Sequence, residues 1–206
     1  MRLCDSLFCL SFCAILLFSC TSHGLVVDLV DISSEDPPKT EEELFEEQGR
    51  AWLDSLCKDS FQGRRIGTEG NKLAFEFLKK EISGMGYVPE VQLFETENGV
   101  IGRNLIVSIP GQTDSTIIIG GHYDGAVSST ADKHYQAAND NGSGTVALLL
   151  LLKCLKEKSC VFSRKVVCCL WDGEETFDGK AFRGSRHYIS IVPTSFIQRV
   201  LHYEQF

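Results

Sequence analysis

The stretch TIIIGGHYDG, residues 116–125, joins a continuously apolar run to a His and an Asp that follow it directly. A short apolar run without polar alternation predicts a strand that is covered on both faces of a sheet. The polar pair allows two interpretations. His122 is a metal ligand whose imidazole is supported by Asp124, or both residues are ordinary polar residues where the strand meets a loop. The pair alone does not decide, so the remaining ligands have to come from other parts of the chain.

Two later segments also place polar residues beside an apolar element. NDNGSGTVALLLLLKCLKEK (139–158) opens with small polar residues and continues as an apolar helix, and RKVVCCLWDGEE (164–175) is an apolar strand that ends in acidic residues. Further helices are predicted at 41–58, 69–85 and 184–190, a Gly-rich loop at 61–71, and further strands at 88–96, 103–111 and 199–206. Strands that alternate with helices predict an α/β sandwich around a mixed, mostly parallel sheet.

The chemically active residues fall at the ends of these predicted elements. His122 and Asp124 follow one strand, Asp140 precedes the apolar helix, and Glu174 and Glu175 follow another strand. In open α/β sheets, ligands bind at the edge where the carboxyl ends of the strands lie. The three groups are therefore expected to converge on one site, although they are remote from one another along the chain.

The residue types in these groups suit a zinc site that activates water. Zinc accepts imidazole nitrogen and carboxylate oxygen, which His122, Asp140 and Glu175 offer. A carboxylate such as Asp140 can bridge two metals about 3.5–4 Å apart, and a bound metal lowers the pKa of water to about 7. Glu174 then remains free to take a proton. Each motif alone has a structural alternative, namely loop polarity, an ordinary helix N-cap, or a solvated turn; their joint occurrence in this order favours the metal site.

Four motifs in order, GGHYDG, ANDNGSGTVALL, WDGEE and GSRHY, resemble the successive signatures of the co-catalytic zinc aminopeptidases, a family of exopeptidases that also includes glutaminyl cyclases. GRRIGTEGNKLAFEFLKKEISGMGY resembles the family region that precedes the sheet, so the resemblance covers roughly 41–206. It implies a three-layer sandwich of the phosphorylase/hydrolase-like zinc exopeptidase type, with a mixed, mostly parallel central sheet flanked by helices.

The same resemblance implies a role for each candidate residue. His122 matches the ligand of a first zinc, Asp140 the ligand that bridges both zincs, and Glu175 a ligand of the second. Glu174 matches the general base, and Asp124 the catalytic-site residue that supports the His. In place of the family's next ligand, an Asp, VLHYEQF (200–206) offers Glu204, with His202 as an alternative.

The family's last ligand is a His farther along than Phe206, where this chain ends. The sequence is therefore expected to represent the N-terminal two-thirds of such an enzyme, with an incomplete fold and an under-ligated second metal. Three functions stay open: an aminopeptidase with two zincs that acts on peptides, a glutaminyl-cyclase-like acyltransferase with one, or a non-catalytic exported lipoprotein. The long stretch at 176–183 between DGEE and GSRHY is compatible with the cyclase.

Composition and the N-terminus indicate where the protein acts. A net charge of −8 and a pI near 5.1 argue against nucleic-acid binding. MRLCDSLFCLSFCAILLFSC (1–20) has the apolar core of a secretory signal and ends like a lipobox, so the predicted anchor is a lipid on Cys20. The predicted organisation is a signal peptide at 1–20, a tether at 21–40 and the catalytic domain at 41–206, exported and held at a membrane.

Overall fold

The structure of the protein is a computed structural model that describes residues 38–126, 134–175 and 179–192, and the backbone alone at 197–202. Several predicted features lie outside the described residues: the signal peptide at 1–20 with its Cys20, the tether up to residue 37, and Glu204. At His202 only the backbone is described. The predictions made for these positions therefore remain predictions.

All of the secondary structure given below belongs to one compact unit, Lys39–Phe206. A second unit, Met1–Pro38, is described only at its last residue. In the ranges that the structure describes, none of the helices combines the length and the apolar character needed to cross a membrane.

A five-stranded mixed sheet forms the centre of this unit. Its strands lie in the order β1-β2-β4-β3-β5. β3 runs parallel to both β4 and β5, whereas β2 runs antiparallel to β4 and β1. The predicted α/β fold with a mixed sheet is confirmed, and its parallel pairings join the three strands that end nearest the candidate site. The strands are β1 (Glu90–Glu95), β2 (Ile101–Ile109), β3 (Gly111–His122), β4 (Phe162–Trp171) and β5 (Ile197–His202).

Helices cover both faces of the sheet and complete three layers. The helices are α1 (Glu41–Leu56), α2 (Glu69–Gly84), α3 (Ser143–Glu157) and α4 (Arg183–Ile191). Thr40 and Glu43 form a reciprocal capping box at the start of α1, which sets its first residue where the sequence predicted it. The predicted Gly-rich loop before α2 is more ordered than expected, because Asp59–Arg64 forms 3₁₀ turns.

The core is two apolar layers separated by the sheet, and β4 shows how one strand serves both. Val166, Cys168 and Leu170 pack with α1, α2 and α3, while the alternate residues, including Trp171, pack with Tyr188 of α4. This division follows from the two-residue period of a strand. The continuous apolar run in the sequence is therefore explained by burial on both faces.

The register of β3 against β4 brings their polar ends to the same place. His122, the last residue of β3, lies opposite Trp171, the last residue of β4. Both strands run in the same direction, so the residues after them, Asp124 on one side and Asp172–Glu175 on the other, emerge at one edge of the sheet.

Candidate metal centre

His122 is held rigidly at the end of β3. Its side chain is 1% exposed, and its main-chain carbonyl accepts a 2.8 Å hydrogen bond from the Thr145 hydroxyl of α3. The Nδ1 atom lies 3.1 Å from the Asp124 carbonyl oxygen and 3.4 Å from Asp124 Oδ1, so Nδ1 carries the proton in the neutral ring. Nε2 is thereby left as the free donor atom, and it faces the neighbouring carboxylates.

Gly120, two positions before His122, allows the close packing of this strand end. A Cβ atom on Gly120 would lie 2.3 Å from Nε1 of Trp171, so the indole can cross β3 only because position 120 has no side chain. The first glycine of GGHYDG therefore contributes to the site by admitting Trp171, which is buried in the core.

Asp140 reaches the site from an irregular turn before α3. Within Ala138–Gly142 the dihedral angles of Asp140 and Asn141 are not helical. The Asp140 carboxylate is half-exposed, and its Oδ1 lies 3.2 Å from His122 Nε2. The side chain of Asn141 accepts a 3.0 Å hydrogen bond from the amide of Gly144 in the first turn of α3. The motif therefore serves both purposes through different residues: Asn141 satisfies an amide in the first turn of α3, and Asp140 faces His122.

Glu174 and Glu175 are positioned through Asp124. The two carboxylate oxygens of Asp124, which is completely buried, accept hydrogen bonds of 3.1 Å each from the amides of Glu174 and Glu175. One carboxylate thus orients the imidazole of His122 and fixes the backbone that carries the Glu pair. Glu174 Oε2 lies 3.6 Å from His122 Nε2, and the Glu174 side chain is almost buried.

Together these elements create a group of donor atoms suited to a divalent cation. One donor atom from each of His122, Asp140 and Glu175 lies within 4.8 Å of the other two. Oε1 of Glu175 is buried and has no hydrogen-bond partner among the described residues. A buried carboxylate oxygen without a donor is unfavourable unless a proton or a cation neutralises it, and imidazole and carboxylate ligands of this kind fit a zinc ion.

The electrostatics of the cluster also favour the binding of a cation. Burial opposes the charged form of His122, but the hydrogen bond and charge of Asp124 and the charges of Glu174 and Asp140 outweigh it and raise the pKa of His122 to about 9. Burial, followed by the charge of Asp140, raises the pKa of Glu175 to about 7. The cluster therefore has an excess of negative potential, which a proton or a divalent cation would neutralise.

A layer of buried polar residues beneath the cluster was not foreseen from the sequence. Asp172 is fully buried, and its carboxylate accepts hydrogen bonds from Nδ2 of Asn71 at 2.8 Å and from the amide of Arg103 at 2.9 Å. Burial and the charge of Asp124 raise the pKa of Asp172 above its usual range. Its position directly after β4, like that of Asp124 after β3, is the signal that could have identified it.

Two other histidines lie apart from this cluster. His187 packs against the ring of Phe94, with 5.7 Å between the ring centroids. His134 lies 3.8 Å from the exposed Asp59. Neither belongs to the group of donor atoms around His122.

The fold and the cluster define a class of protein: a three-layer α/β domain with a candidate zinc site at the carboxyl edge of a mixed sheet. The sequence model of peptidase family M28 matches residues 104–206, half of the chain. This protein belongs to peptidase family M28, as the motifs predicted.

Individual proteins that are similar to this chain in sequence or in fold are consistent with this family. The chain is 25% identical over 154 residues to leupeptin-inactivating enzyme 1 of Streptomyces exfoliatus, covering 75% of this chain and 33% of that protein. A Zn-dependent exopeptidase from Parabacteroides distasonis has the same fold, with a TM-score of 0.63, 19% identity, and coverage of 77% of this chain and 61% of that one. A glutaminyl cyclase from Fimbriiglobus ruber matches with a TM-score of 0.59 and 25% identity, covering 70% and 54%. The chain thus spans a third of the curated relative and 54–61% of the two solved structures.

Proposed function

We propose that this protein is a zinc-dependent exopeptidase that removes N-terminal residues from peptides. The observation that carries the proposal is the convergence of donor atoms from His122, Asp140 and Glu175 within 4.8 Å of one another, in a chain of peptidase family M28. The names of its relatives, a leupeptin-inactivating enzyme and a Zn-dependent exopeptidase, support the same class of reaction.

Each residue of the cluster has a distinct task in this proposal. His122, Asp140 and Glu175 would hold zinc, which when bound supplies a Lewis acid that makes water more acidic and polarises a carbonyl. Glu174 accepts the proton that the attacking water loses and passes it to the amine of the departing peptide. Its Oε2, 3.6 Å from His122 Nε2, lies close enough to the ligands for that exchange. Asp124 keeps the proton on Nδ1 of His122 and so leaves Nε2 free.

The resemblance to the zinc aminopeptidases implies further ligands beyond the described cluster. One is Glu204, with His202 as the alternative, and Glu204 lies outside the described residues. Among the described residues we propose zinc binding by His122, Asp140 and Glu175. The peptidase activity is proposed for a protein that carries the complete set of ligands.

Glutaminyl cyclisation is the second candidate function. It is supported by the likeness to the Fimbriiglobus ruber glutaminyl cyclase and by the long segment between Glu175 and Arg183. The placement of His122 Nε2 at 3.2 Å from Asp140 Oδ1 supports the peptidase instead, because it makes the imidazole available as a metal ligand beside that carboxylate. We therefore rank the peptidase first.

One substrate separates these reactions. A dipeptide with N-terminal Gln yields free Gln and the second amino acid if the protein is a peptidase, whereas a cyclase yields the pyroglutamyl dipeptide and ammonia. Mass spectrometry of the products identifies the reaction, and bound zinc is counted in parallel by elemental analysis. A chelator should abolish turnover and added zinc should restore it. Pyroglutamyl product without free Gln would overturn the peptidase proposal, and failure to bind zinc would overturn both.

From the leader sequence we further propose that the protein is exported and anchored by a lipid on Cys20. The test is incorporation of a labelled fatty acid into the expressed protein, compared with a Cys20→Ala variant. Label retained in Cys20→Ala, or absent from both proteins, would contradict the anchor. The proposal on the reaction does not depend on this outcome.

A further inference from the structure

Arg64 is a completely buried charged side chain that the proposed reaction does not use. It lies before α2, with 0% of its surface exposed. Its guanidinium donates from Nε to the Tyr123 carbonyl at 2.8 Å and from Nη1 to the carbonyls of Leu56 at 2.6 Å and Gln136 at 2.8 Å. Nη2 donates to the Ala137 carbonyl at 2.7 Å. One side chain thus joins three separate parts of the backbone.

Two of those parts carry residues of the candidate metal centre. Tyr123 lies between His122 and Asp124, and Ala137 immediately precedes the turn that presents Asp140. The Ala137 carbonyl also accepts a 3.0 Å hydrogen bond from the amide of Gly142, which closes that turn. Arg64 therefore binds the Ala137 carbonyl, where the turn begins and closes, and also the carbonyl of Tyr123, the residue next to His122.

Burying the charged side chain of Arg64 costs more free energy than burying an apolar side chain that only packs. All four hydrogen bonds to oxygen end on neutral carbonyls, and burial lowers the pKa of Arg64. The charge of Asp124 and a contact with Cys57 offset only part of this burial. A buried charge of this kind adds little to stability compared with an apolar side chain of similar volume. The planar guanidinium does, however, bind several acceptors in fixed relative directions, which lysine cannot do.

Arg64 is itself held in place from the layer beneath the site. Its backbone is in the left-handed region, with φ at 59°, and its carbonyl accepts a 3.1 Å hydrogen bond from Nδ2 of Asn71. The same Nδ2 donates to Asp172, the residue that follows β4. The guanidinium thus contacts the segments of His122 and Asp140 directly. The backbone of Arg64 is linked through Asn71 to the third ligand segment, which begins at Asp172.

We propose that Arg64 is a positioning residue that sets the separation between His122 and Asp140 and thereby determines the affinity for zinc. The proposal rests on the zinc site of the proposed function. It assigns Arg64 no contact with substrate or metal. Its effect is transmitted through the carbonyls of Tyr123 and Ala137 to the ligand beside each.

The first test needs no metal. Hydrogen exchange of the Gly142 amide reports the closure of the turn, and exchange of the Ile119 amide within β3 reports global opening. In Arg64→Lys we expect faster exchange at Gly142 with little change at Ile119, because lysine cannot reach all of the carbonyls. Arg50→Lys on the exposed face of α1 is the matched control and should alter neither. Unchanged exchange at Gly142 in Arg64→Lys, or equal acceleration at both amides, would overturn the proposal.

The second test is zinc affinity, measured by competition with a fluorescent chelator. Groups that orient metal ligands typically contribute about 10- to 100-fold in affinity, and Arg64→Lys is expected to lose an amount in this range. In Arg64→Ala, millimolar methylguanidinium should restore part of the loss, and it should not affect the wild-type protein. Wild-type affinity in Arg64→Lys would overturn the proposal. If the wild-type protein itself binds no zinc, the proposed function fails, while the exchange experiment still decides the role of Arg64.

Discussion

The apolar layer between α1–α3 and the sheet differs sharply from the polar cluster at the carboxyl edge of β3 and β4. In the apolar layer, side chains such as Leu149 and Leu152 are placed by burial, which has no direction and is shared among many neighbours. In the polar cluster, directed hydrogen bonds place His122 and the backbone of the Glu pair, and several carboxylates are brought close to one imidazole. The apolar layer stabilises the fold, whereas the polar cluster has a negative potential that favours binding of a cation.

This difference implies that stability and chemistry can be altered separately. β4 connects the two arrangements, since its apolar residues alternate between the two core layers and the residues that follow the strand enter the polar edge. A substitution in one region should therefore leave the property of the other region unchanged.

The largest effect is expected from Glu174→Gln, which removes the group proposed to accept a proton. The amide cannot take that proton, so turnover by the complete enzyme should fall about 10³-fold, within the range for general-base catalysis. Zinc affinity and thermal stability should remain near wild type. The control is Glu76→Gln on the exposed surface of α2. Turnover within a few-fold of wild type in Glu174→Gln would remove Glu174 from the mechanism.

The converse change is Leu149→Ala in the apolar layer. Leu149 is 0% exposed, and its truncation should lower the free energy of unfolding by about 3 kcal/mol, because the cavity cannot be filled. The folded protein should bind zinc as the wild type does. Leu44→Ala, at a position that is 51% exposed, should change stability by less than about 0.5 kcal/mol. A large loss of zinc affinity in folded Leu149→Ala would show that the two regions are coupled.

The pH dependence of zinc affinity should reveal the electrostatics of the cluster. Zinc competes with a proton on His122, whose pKa is raised to about 9, and with one on Glu175, whose pKa is raised to about 7. Affinity should therefore increase with pH, by about tenfold per unit between the two pKa values and more steeply below the lower one. Chelator competition at several pH values measures this slope. An affinity that is independent of pH in this window would contradict the proposed ligands.

The smallest effect concerns the start of α1, far in sequence from the site. Thr40→Ala removes the capping box with Glu43 and should lower the free energy of unfolding by about 1 kcal/mol. Thr40→Ser retains the hydroxyl and should be close to wild type. Denaturant unfolding measures both variants. An equal loss in the two would mean that the cap hydrogen bond does not contribute to stability.

Much of the fold and of the candidate site could be predicted from local sequence patterns. The apolar runs that form β3, α3 and β4 are continuous, and the polar residues proposed as ligands stand directly beside them. A rule about sheet edges was then enough to expect that His122, Asp140 and Glu175 would meet. The helices α1 and α2 were predicted to within two residues because their apolar residues recur at helical spacing.

The residues that support the site could not be predicted in this way. Asn71 and Asp172 are separated by 101 positions, yet they share a hydrogen bond. The sequence around Arg64 shows no hydrophobic period and suggests an ordinary Gly-rich loop. Its buried position and its four carbonyl acceptors become visible only when the chain is folded.

By itself, the sequence determined which residues offer donor atoms, which strands are buried, and the family to which the chain belongs, because these properties are expressed by neighbouring residues. Only the tertiary structure decided that one buried carboxylate, Asp124, orients both the imidazole and the Glu pair, and that Arg64 joins the segments carrying His122 and Asp140. The physical reason is that hydrogen bonds depend on direction and distance in space, and residues far apart in the chain leave no local pattern that predicts either.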